Sequence, residues 1–424
     1  MNEILIKSGR VIDPANGIDK TADVLIAGGK IVKVGRVSDK ATRIIDARGK
    51  IVCPGLIDVH VHCREPGHEE EETIATASAA AVAGGFATIC AMPNTHPPMD
   101  NETAVQYVLQ RAAQADRARV LPVGCITKGR EGKELAEMGM MTEAGAVAFT
   151  DDGEGVSSSA VMLRALQYAR MLGVPLMQHC QDGDLAAGSM NSGSVAVRLG
   201  LGGIPAAAEQ IMLQRDLELV ERTGASYHVQ HVSCAGSVEM LRRAKAKGLP
   251  VSAEATPHHL LLTDAACMSY DPNYKMNPPL RSASDVEAIR KGVADGTIDC
   301  LATDHAPHSK EEKELEFGLA PFGIIGLECA LGLYAKALIS TGLIDWPAMI
   351  AAMTIKPARI IGRELGTLST GAVADVTVID PSMMWEVKVD QFVSRSRNCP
   401  YDGWTLPAKP VMTIVQGQVK FDLG

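Results

Sequence analysis

Aromatic side chains are scarce, making up 4% of the 424 residues. A protein that holds nucleic-acid bases by stacking needs more of them than this. A basic excess is missing too: 41 lysines and arginines face 50 aspartates and glutamates, a formal net charge of −9. No broad positive surface is therefore expected for a phosphate backbone, and no nucleic-acid partner. No unbroken apolar run reaches the ~18 residues of a membrane span. The opening Met1-Asn2-Glu3-Ile4 carries neither a basic cluster nor an apolar segment, so no signal peptide is expected. The ten cysteines form no CxxC pair, and most lie in apolar runs, as Cys90, Cys125, Cys300 and Cys329 do. They read as reduced core thiols of a cytoplasmic protein.

What the chain does have is a 46% hydrophobic content dominated by small and aliphatic residues. That suits a tightly packed α/β enzyme. The length would allow roughly two to four domains, although α/β barrels run well past the usual domain size. Short strand patterns occupy the first 53 residues: Ile4–Lys7, Ala22–Ile26, Lys30–Val34 and Arg43–Asp46, with Gly28-Gly29 as a hairpin turn. Similar runs return at Ala374–Ile379 and Val411–Val415. Neither end is long enough for a secure core of its own. The expectation is one small β-sandwich domain built from residues 1–53 and 366–424.

Between them, over residues 54–365, apolar strand-like runs alternate with helical patterns, as in a parallel sheet covered by helices. Eight runs end near His62, Asn94, Thr127, Asp152, His179, His231, His258 and Asp304. Helical stretches separate them, such as 71–83, 158–172, 206–223 and 284–294. Eight such units predict a closed (β/α)8 TIM barrel whose active face lies at the C-terminal strand ends.

The stretch Leu56-Ile57-Asp58-Val59-His60-Val61-His62 organises the chemistry. Its period of two puts His60 and His62 on one face, close enough to share a metal ion. Four further runs lead to metal-capable groups: Asp151-Asp152, His179, His231 and Asp304. A lone histidine at a strand end is more often a hydrogen-bonded core residue than a ligand, but five aligned strand ends make that reading a poor one for the set. Four imidazoles plus carboxylates exceed what one tetrahedral ion with an open position requires. Two ions ~3.5–4 Å apart, bridged by a carboxylate and a hydroxide, would account for them. His228 should face away from His231 and is read as structural. His258 and His259 read as supporting or packing residues, His68 and His96 as solvated. Cys63 should point away from the metal face. The acidic run 69–72 reads as a solvated helix start, where negative charge suits the helix dipole.

These motifs resemble the amidohydrolase superfamily and, within it, the bacterial type I dihydroorotase family. The segment His60-Val61-His62-Cys63-Arg64-Glu65-Pro66-Gly67 is similar to that family's HxHxREPG signature, with Cys63 where leucine is more usual. Ala91–Thr95, Phe149–Gly153, Tyr274–Arg281, Ala302–His308 and Pro321-Phe322-Gly323 follow in the family's order. The resemblance spans nearly the whole chain. It implies two zinc ions: His60, His62 and Asp304 on the first, His179 and His231 on the second, and Asp152 bridging them. Many relatives use a carboxylated lysine as the bridge, hydantoinases and allantoinases typically among them. No lysine stands at that strand end here.

The implied reaction is the reversible hydrolysis of dihydroorotate to N-carbamoyl-L-aspartate in pyrimidine synthesis, with Asp304 as general base and acid. Arg64, Asn94 and His308 would bind the substrate carboxylate, beside His62. Asn277 and the backbone at Phe322-Gly323 would bind the ring's amide edge. Arg64 has a structural alternative, an ion pair with a nearby acid. The charged segment 309–318 is expected to be either a mobile loop that reshapes on substrate binding or a solvated connection. A homodimer is the usual family state, and association with aspartate transcarbamoylase occurs in some bacteria. The competing readings are a hydantoinase or allantoinase, and a non-catalytic barrel serving as an assembly partner. Loss of ligands would mark the latter, and all six are retained here.

Overall fold

The structure is a computed structural model that describes residues 3–38 and 41–424. Its centre is a sheet of eight parallel strands in sequential order: β1 (Leu56–Val61), β2 (Phe86–Ala91), β3 (Arg119–Gly124), β4 (Ala148–Phe149), β5 (Leu176–Gln178), β6 (Tyr227–Val229), β7 (Val251–Ala255) and β8 (Cys300–Leu301). A parallel bridge from Val61 to His305, reinforced by the His62 amide donating to the His305 carbonyl at 2.9 Å, joins the first strand to the residues just past the last. The (β/α)8 barrel expected from the alternation is therefore present. β1 and β2 are buried along their whole length, as strands covered on both faces should be.

The helices fall between the strands where the 3.6-residue pattern predicts them, with shifts at their starts that the caps explain. The helix after β1 runs Ile74–Ala83 rather than from residue 71, because the Thr73 side chain accepts from the Thr76 amide and caps it. Ser158 caps Ser159–Leu172 and Ser282 caps Ala283–Ala294 in the same way. Ala206–Thr223 has the expected bounds.

Both ends of the chain build one mixed sheet. Its strands run in the order Gln418–Asp422, Thr405–Val415, Val376–Glu386, Ile51–Pro54, Ile4–Asp13, Ile18–Ala27 and Lys30–Gly35, with Arg43–Asp46 also parallel to Ile4–Asp13. The joint is Ile51–Pro54, which pairs antiparallel with Val376–Ile379 and hands the chain directly to β1. Ile4, Ile6, Val24, Ile26 and Val52 from one end pack with Val376, Val378 and Ile414 from the other in a single apolar cluster. Gly28 and Gly29 turn the hairpin with φ of 59° and 75°, values that disfavour any residue with a Cβ.

The acidic run 69–72 is only half solvated. Glu69 and Glu70 are exposed, but Glu71 and Glu72 are buried. Glu72 accepts from Ser394 Oγ at 2.5 Å and from the Arg395 amide at 3.2 Å, and it also bonds Thr76. The expectation failed because a distant excursion of the chain, between Val376–Glu386 and Thr405–Val415, crosses back over the barrel mouth and covers these carboxylates. All ten cysteines are buried free thiols. No helix of the described residues is long and apolar enough to cross a membrane.

Candidate metal centre

His60 lies on β1 and His62 one residue past it. Asp152, His179, His231 and Asp304 follow the ends of β4, β5, β6 and β8 by one to three residues. They have left the sheet's hydrogen-bond ladder, and the turn inward bends the backbone. His231 and Asp304 have φ of 31° and 49°, in the left-handed region that non-glycine residues seldom occupy. Such strain persists only where surrounding structure enforces it, and it concentrates at functional sites.

The six side chains converge at the barrel mouth. His60 Nε2 lies 3.4 Å from Asp152 Oδ1 and 3.4 Å from Asp304 Oδ1, and His62 Nε2 lies 3.4 Å from Asp152 Oδ2 and 3.0 Å from Asp304 Oδ1. His179 Nδ1 and His231 Nε2 stand 3.9 and 3.7 Å from Asp152 Oδ1 and 2.8 Å from each other. Most of these nitrogen–oxygen distances are too long for good hydrogen bonds. They match the edge of a tetrahedron of donors around zinc, roughly 3.4 Å for bonds near 2.1 Å. His60 Nε2 and Asp152 Oδ1 are buried without any hydrogen-bond partner. Unpaired buried polar atoms are costly, and donors aimed at a common point are what a cation would satisfy. His60, Asp152 and His231 form one potential ligand triad, and His60, His62 and Asp304 another.

Partners behind two of the imidazoles, His60 and His62, fix which nitrogen faces the centre. Glu254, near the end of β7, takes His60 Nδ1 at 2.6 Å and His228 Nε2 at 2.9 Å, and it accepts the His231 amide at 3.1 Å. Asn94 Oδ1 takes His62 Nδ1 at 2.7 Å, and Asn277 Nδ2 reaches His179 Nε2 at 3.3 Å. The acceptors Glu254 and Asn94 Oδ1 place the proton on Nδ1 of His60 and His62, which orients these rings and raises the basicity of Nε2. The Asn277 amino group, a donor, has no such effect on His179.

The electrostatics favour a cation as well. Burial would lift the carboxyl groups of Asp152 and Asp304, but the neighbouring imidazoles, His60 foremost, outweigh it and hold both below the usual carboxylate range. Glu254 is held at about 2 against its burial, chiefly by His60 and His228. Burial, followed by the proximity of His231, pushes His179 down to about 3, leaving a neutral ring with a lone pair to offer.

A cavity of about 310 Å³ opens above these groups. It is lined by His62, Asn94, Asp152, His179, His231 and Asp304 around the donor cluster, and by Arg64, Asn277, His308, Phe322 and Gly323 from the surrounding loops. Of the residues expected from the sequence to bind metal or substrate, His60 alone is absent from the wall, fully buried behind it. Arg64 sits in the cavity and also pairs with an acid: its Nε is 2.9 Å from Glu71 Oε2 and 2.9 Å from the Pro307 carbonyl. His308 Nε2 donates to the Phe322 carbonyl at 2.7 Å. Gly323 has φ of 121°, and a Cβ there would come within 2.7 Å of the Ala306 Cβ. His68 and His96 are exposed, while His228, His258 and His259 are buried; His259 bonds Thr256 Oγ1 and the Pro278 carbonyl.

The chain is 50% identical over 419 residues to a dihydroorotase of Pelotomaculum thermopropionicum, with 98% of each chain covered. It is 48% identical to a dihydroorotase of Geobacter sp. (strain M21), covering 99% of this chain and all of that one. A family profile described as dihydro-orotase-like matches residues 49–237. The chain belongs to the dihydroorotase family. As a member it is a cyclic amidohydrolase, and its buried histidine and aspartate cluster is compatible with a metal site. Among solved structures it is similar to the L-hydantoinase (dihydropyrimidinase) of Arthrobacter aurescens, with a TM-score of 0.91 and 28% identity over 100% of this chain and 97% of that one. A D-hydantoinase at 24% identity and a TM-score of 0.85, covering 100% and 95%, shares the fold.

Sequence reasoning overlooked three groups in this family member's site. Glu254 sits in Val251-Ser252-Ala253-Glu254-Ala255, an alternation that reads as a strand with a solvated polar face, yet a carboxylate inside a barrel strand is itself a signal. Asp58, buried two residues before His60, accepts the amides of His60 and Thr303 and so ties β1 to the end of β8. Asn398 lies in the distant excursion and carries no local signal. Its Nδ2 donates to the carbonyls of Ala306 at 2.9 Å and Gly323 at 3.1 Å, and its Oδ1 accepts the His308 amide at 3.3 Å.

Proposed function

We infer that this chain is a zinc-dependent dihydroorotase that interconverts (S)-dihydroorotate and N-carbamoyl-L-aspartate in pyrimidine synthesis. The observation that carries the reading is the convergence of six donors at the spacing of shared cation ligands, with a single arginine facing the same cavity. His60, His62 and Asp304 would hold one zinc, His179 and His231 a second, and Asp152 would span both. Bound there, the pair would supply Lewis acidity that brings the pKa of water toward neutrality.

The protein's own groups do the rest. Arg64 offers a two-pronged donor to the substrate carboxylate. Asn94, whose oxygen is occupied by His62, has its amino group left for the same carboxylate, and His308 closes that corner. Asn277 and the backbone at Phe322-Gly323 meet the ring's amide edge. Water adds its oxygen to the ring carbonyl carbon, and the ring C–N bond breaks. Asp304 accepts the proton of the attacking water and delivers it to the departing nitrogen. In the reverse direction the same carboxylate removes that proton from the nitrogen.

The hydantoinase and allantoinase alternative is disfavoured by the level of identity to dihydroorotases and by Asp152, with no lysine beside it, at the strand end that would bridge the metals. We further take residues 1–53 with 366–424 as one β domain and 54–365 as the barrel. A cytoplasmic homodimer, with association to aspartate transcarbamoylase where that partner is present, completes the proposal. Sedimentation of the chain alone and mixed with that enzyme tests the assembly. Metal content per chain, measured with turnover of dihydroorotate, hydantoin and allantoin, tests the activity. Two zinc ions and preference for dihydroorotate are expected. Faster turnover of hydantoin or allantoin, or no turnover of dihydroorotate by zinc-loaded enzyme, overturns the reading.

A further inference from the structure

Two lysines lie under the loop that edges the cavity, and both are nearly inaccessible: Lys275 is 3% exposed and Lys313 8%. Their hydrogen-bond partners are backbone carbonyls. Lys275 Nζ donates to Gly318 at 3.0 Å and Ala320 at 2.6 Å. Lys313 Nζ donates to Pro321 and Gly323, both at 3.0 Å. The Phe322 carbonyl is taken by His308, so five of the six carbonyls from Gly318 to Gly323 are occupied by three side chains. The Gly323 amide returns a bond to the Lys275 carbonyl at 2.9 Å, and the Lys275 ammonium stands 4.6 Å from the centre of the Phe322 ring.

An irregular strip of backbone normally leaves its carbonyls to water. Here buried amines replace that water. Burying an amine is costly unless its donors are satisfied, and the carbonyls satisfy them only while the strip keeps this shape. Strip and lysines therefore hold one another. Burial and the neighbouring Lys275 push Lys313 down to about 7, and burial lowers Lys275 as well. Protonated or neutral, each amine keeps the two N–H donors that its two carbonyls need. The anchor also changes the view of segment 309–318. It is neither a plain solvated connection nor free along its length: Lys310–Lys313 forms a helical turn, and Phe317 is buried.

We propose that Lys275 and Lys313 are positioning residues that preform the strip 318–323, so that Phe322-Gly323 meets the substrate without a loop having to order first. This rests on the dihydroorotase reading of the cavity. The mechanism uses neither lysine, and neither lines the cavity wall. Preformed loops lower the entropic cost of binding, so the effect belongs in KM.

The test is steady-state kinetics with dihydroorotate for Lys275→Met, Lys313→Met and Lys313→Arg, together with amide exchange at Leu319, Ala320 and Gly323. Each methionine variant is expected to raise KM about tenfold while kcat stays within about threefold, and the arginine variant to recover most of the loss. In the parent, exchange at the three amides is expected to be unchanged by N-carbamoyl-L-aspartate. KM values within about twofold of the parent, or a loss confined to kcat, overturn the proposal. Should the variants fail to fold, the parent decides: strong new protection of the strip on adding ligand shows that it is not preformed. A parent inactive on dihydroorotate refutes the activity instead, and faster exchange in the methionine variants without ligand then judges the lysines separately.

Discussion

The cavity has two walls made in opposite ways. On the metal side, side chains at the ends of β1, β4, β5, β6 and β8 do the work, and the backbone is a scaffold. On the loop side, the strip ending in Phe322-Gly323 borders the cavity, and side chains from elsewhere hold its backbone carbonyls: Lys275, Lys313 and Asn398. The first wall is rigid because a closed sheet positions it. The second is irregular and becomes rigid only through buried polar groups that satisfy it. Metal ligation demands positions good to a fraction of an ångström, which strands supply. Recognition of a flat amide edge demands backbone donors and acceptors, which strands have already committed to one another.

Breaking the first wall should cost most. Removal of metal by a chelator is expected to abolish turnover, with zinc restoring it, as followed by activity and metal content together. Asp304→Ala is expected to lower kcat by about 10³-fold, within the usual range for a lost general base, with the fold intact by circular dichroism. Full activity in that variant would remove Asp304 from the proton path. Glu254→Gln keeps the shape but weakens the grip on His60, and metal affinity measured by competition should fall by about 10–100-fold.

Breaking the second wall should cost less and show in binding. Asn398→Ala removes the side-chain donor of the Ala306 carbonyl, one of the two donors of the Gly323 carbonyl and the acceptor of the His308 amide, a loss on the order of 1 kcal/mol or more, and is expected to raise KM about five- to tenfold. A kcat loss as large as that of Asp304→Ala would erase the distinction between the walls. The smallest effect expected is a pH dependence. Burial, opposed by Arg64, pushes Glu71 up to about 7, above the ordinary glutamate value of 4.5. The folded protein therefore holds a proton there, between pH 4.5 and 7, that the unfolded chain has lost. The associated stability is full below the lower value and is lost as pH rises through the upper one. Above pH 7 the new charge beside Arg64 competes with the substrate carboxylate, so KM should rise by about threefold from pH 6 to 8, the scale of a partly screened ion pair. Glu71→Gln should flatten that rise.

The two walls also differ in how far they can be read from the chain. His60, His62, Asp152, His179, His231 and Asp304 are legible because strand periodicity and barrel topology convert sequence spacing into proximity. The barrel itself is legible for the same reason. Glu71 and Glu72 were misread as solvated because nothing local reports that residues 394–396 return to cover them. Asn398, Lys275 and Lys313 act on backbone atoms, which every residue possesses, so no residue-type pattern marks their targets. Glu254 was missed because alternation does not say that both faces of a barrel strand are enclosed.

The joint at Ile51–Pro54 has a consequence for the chain as it is made. The strand that feeds β1 pairs on one side with Ile4–Asp13 and on the other with Val376–Ile379, more than three hundred residues downstream. During synthesis from the N-terminus, the five strands that precede β1 emerge with the Ile51–Pro54 edge bare and stay so until all of residues 54–365 have been extruded. An unpaired edge invites partners from other chains. A ribosome that stalls before residue 376 would thus release a species with an adhesive border, and truncated products should be recovered as aggregates instead of free barrels.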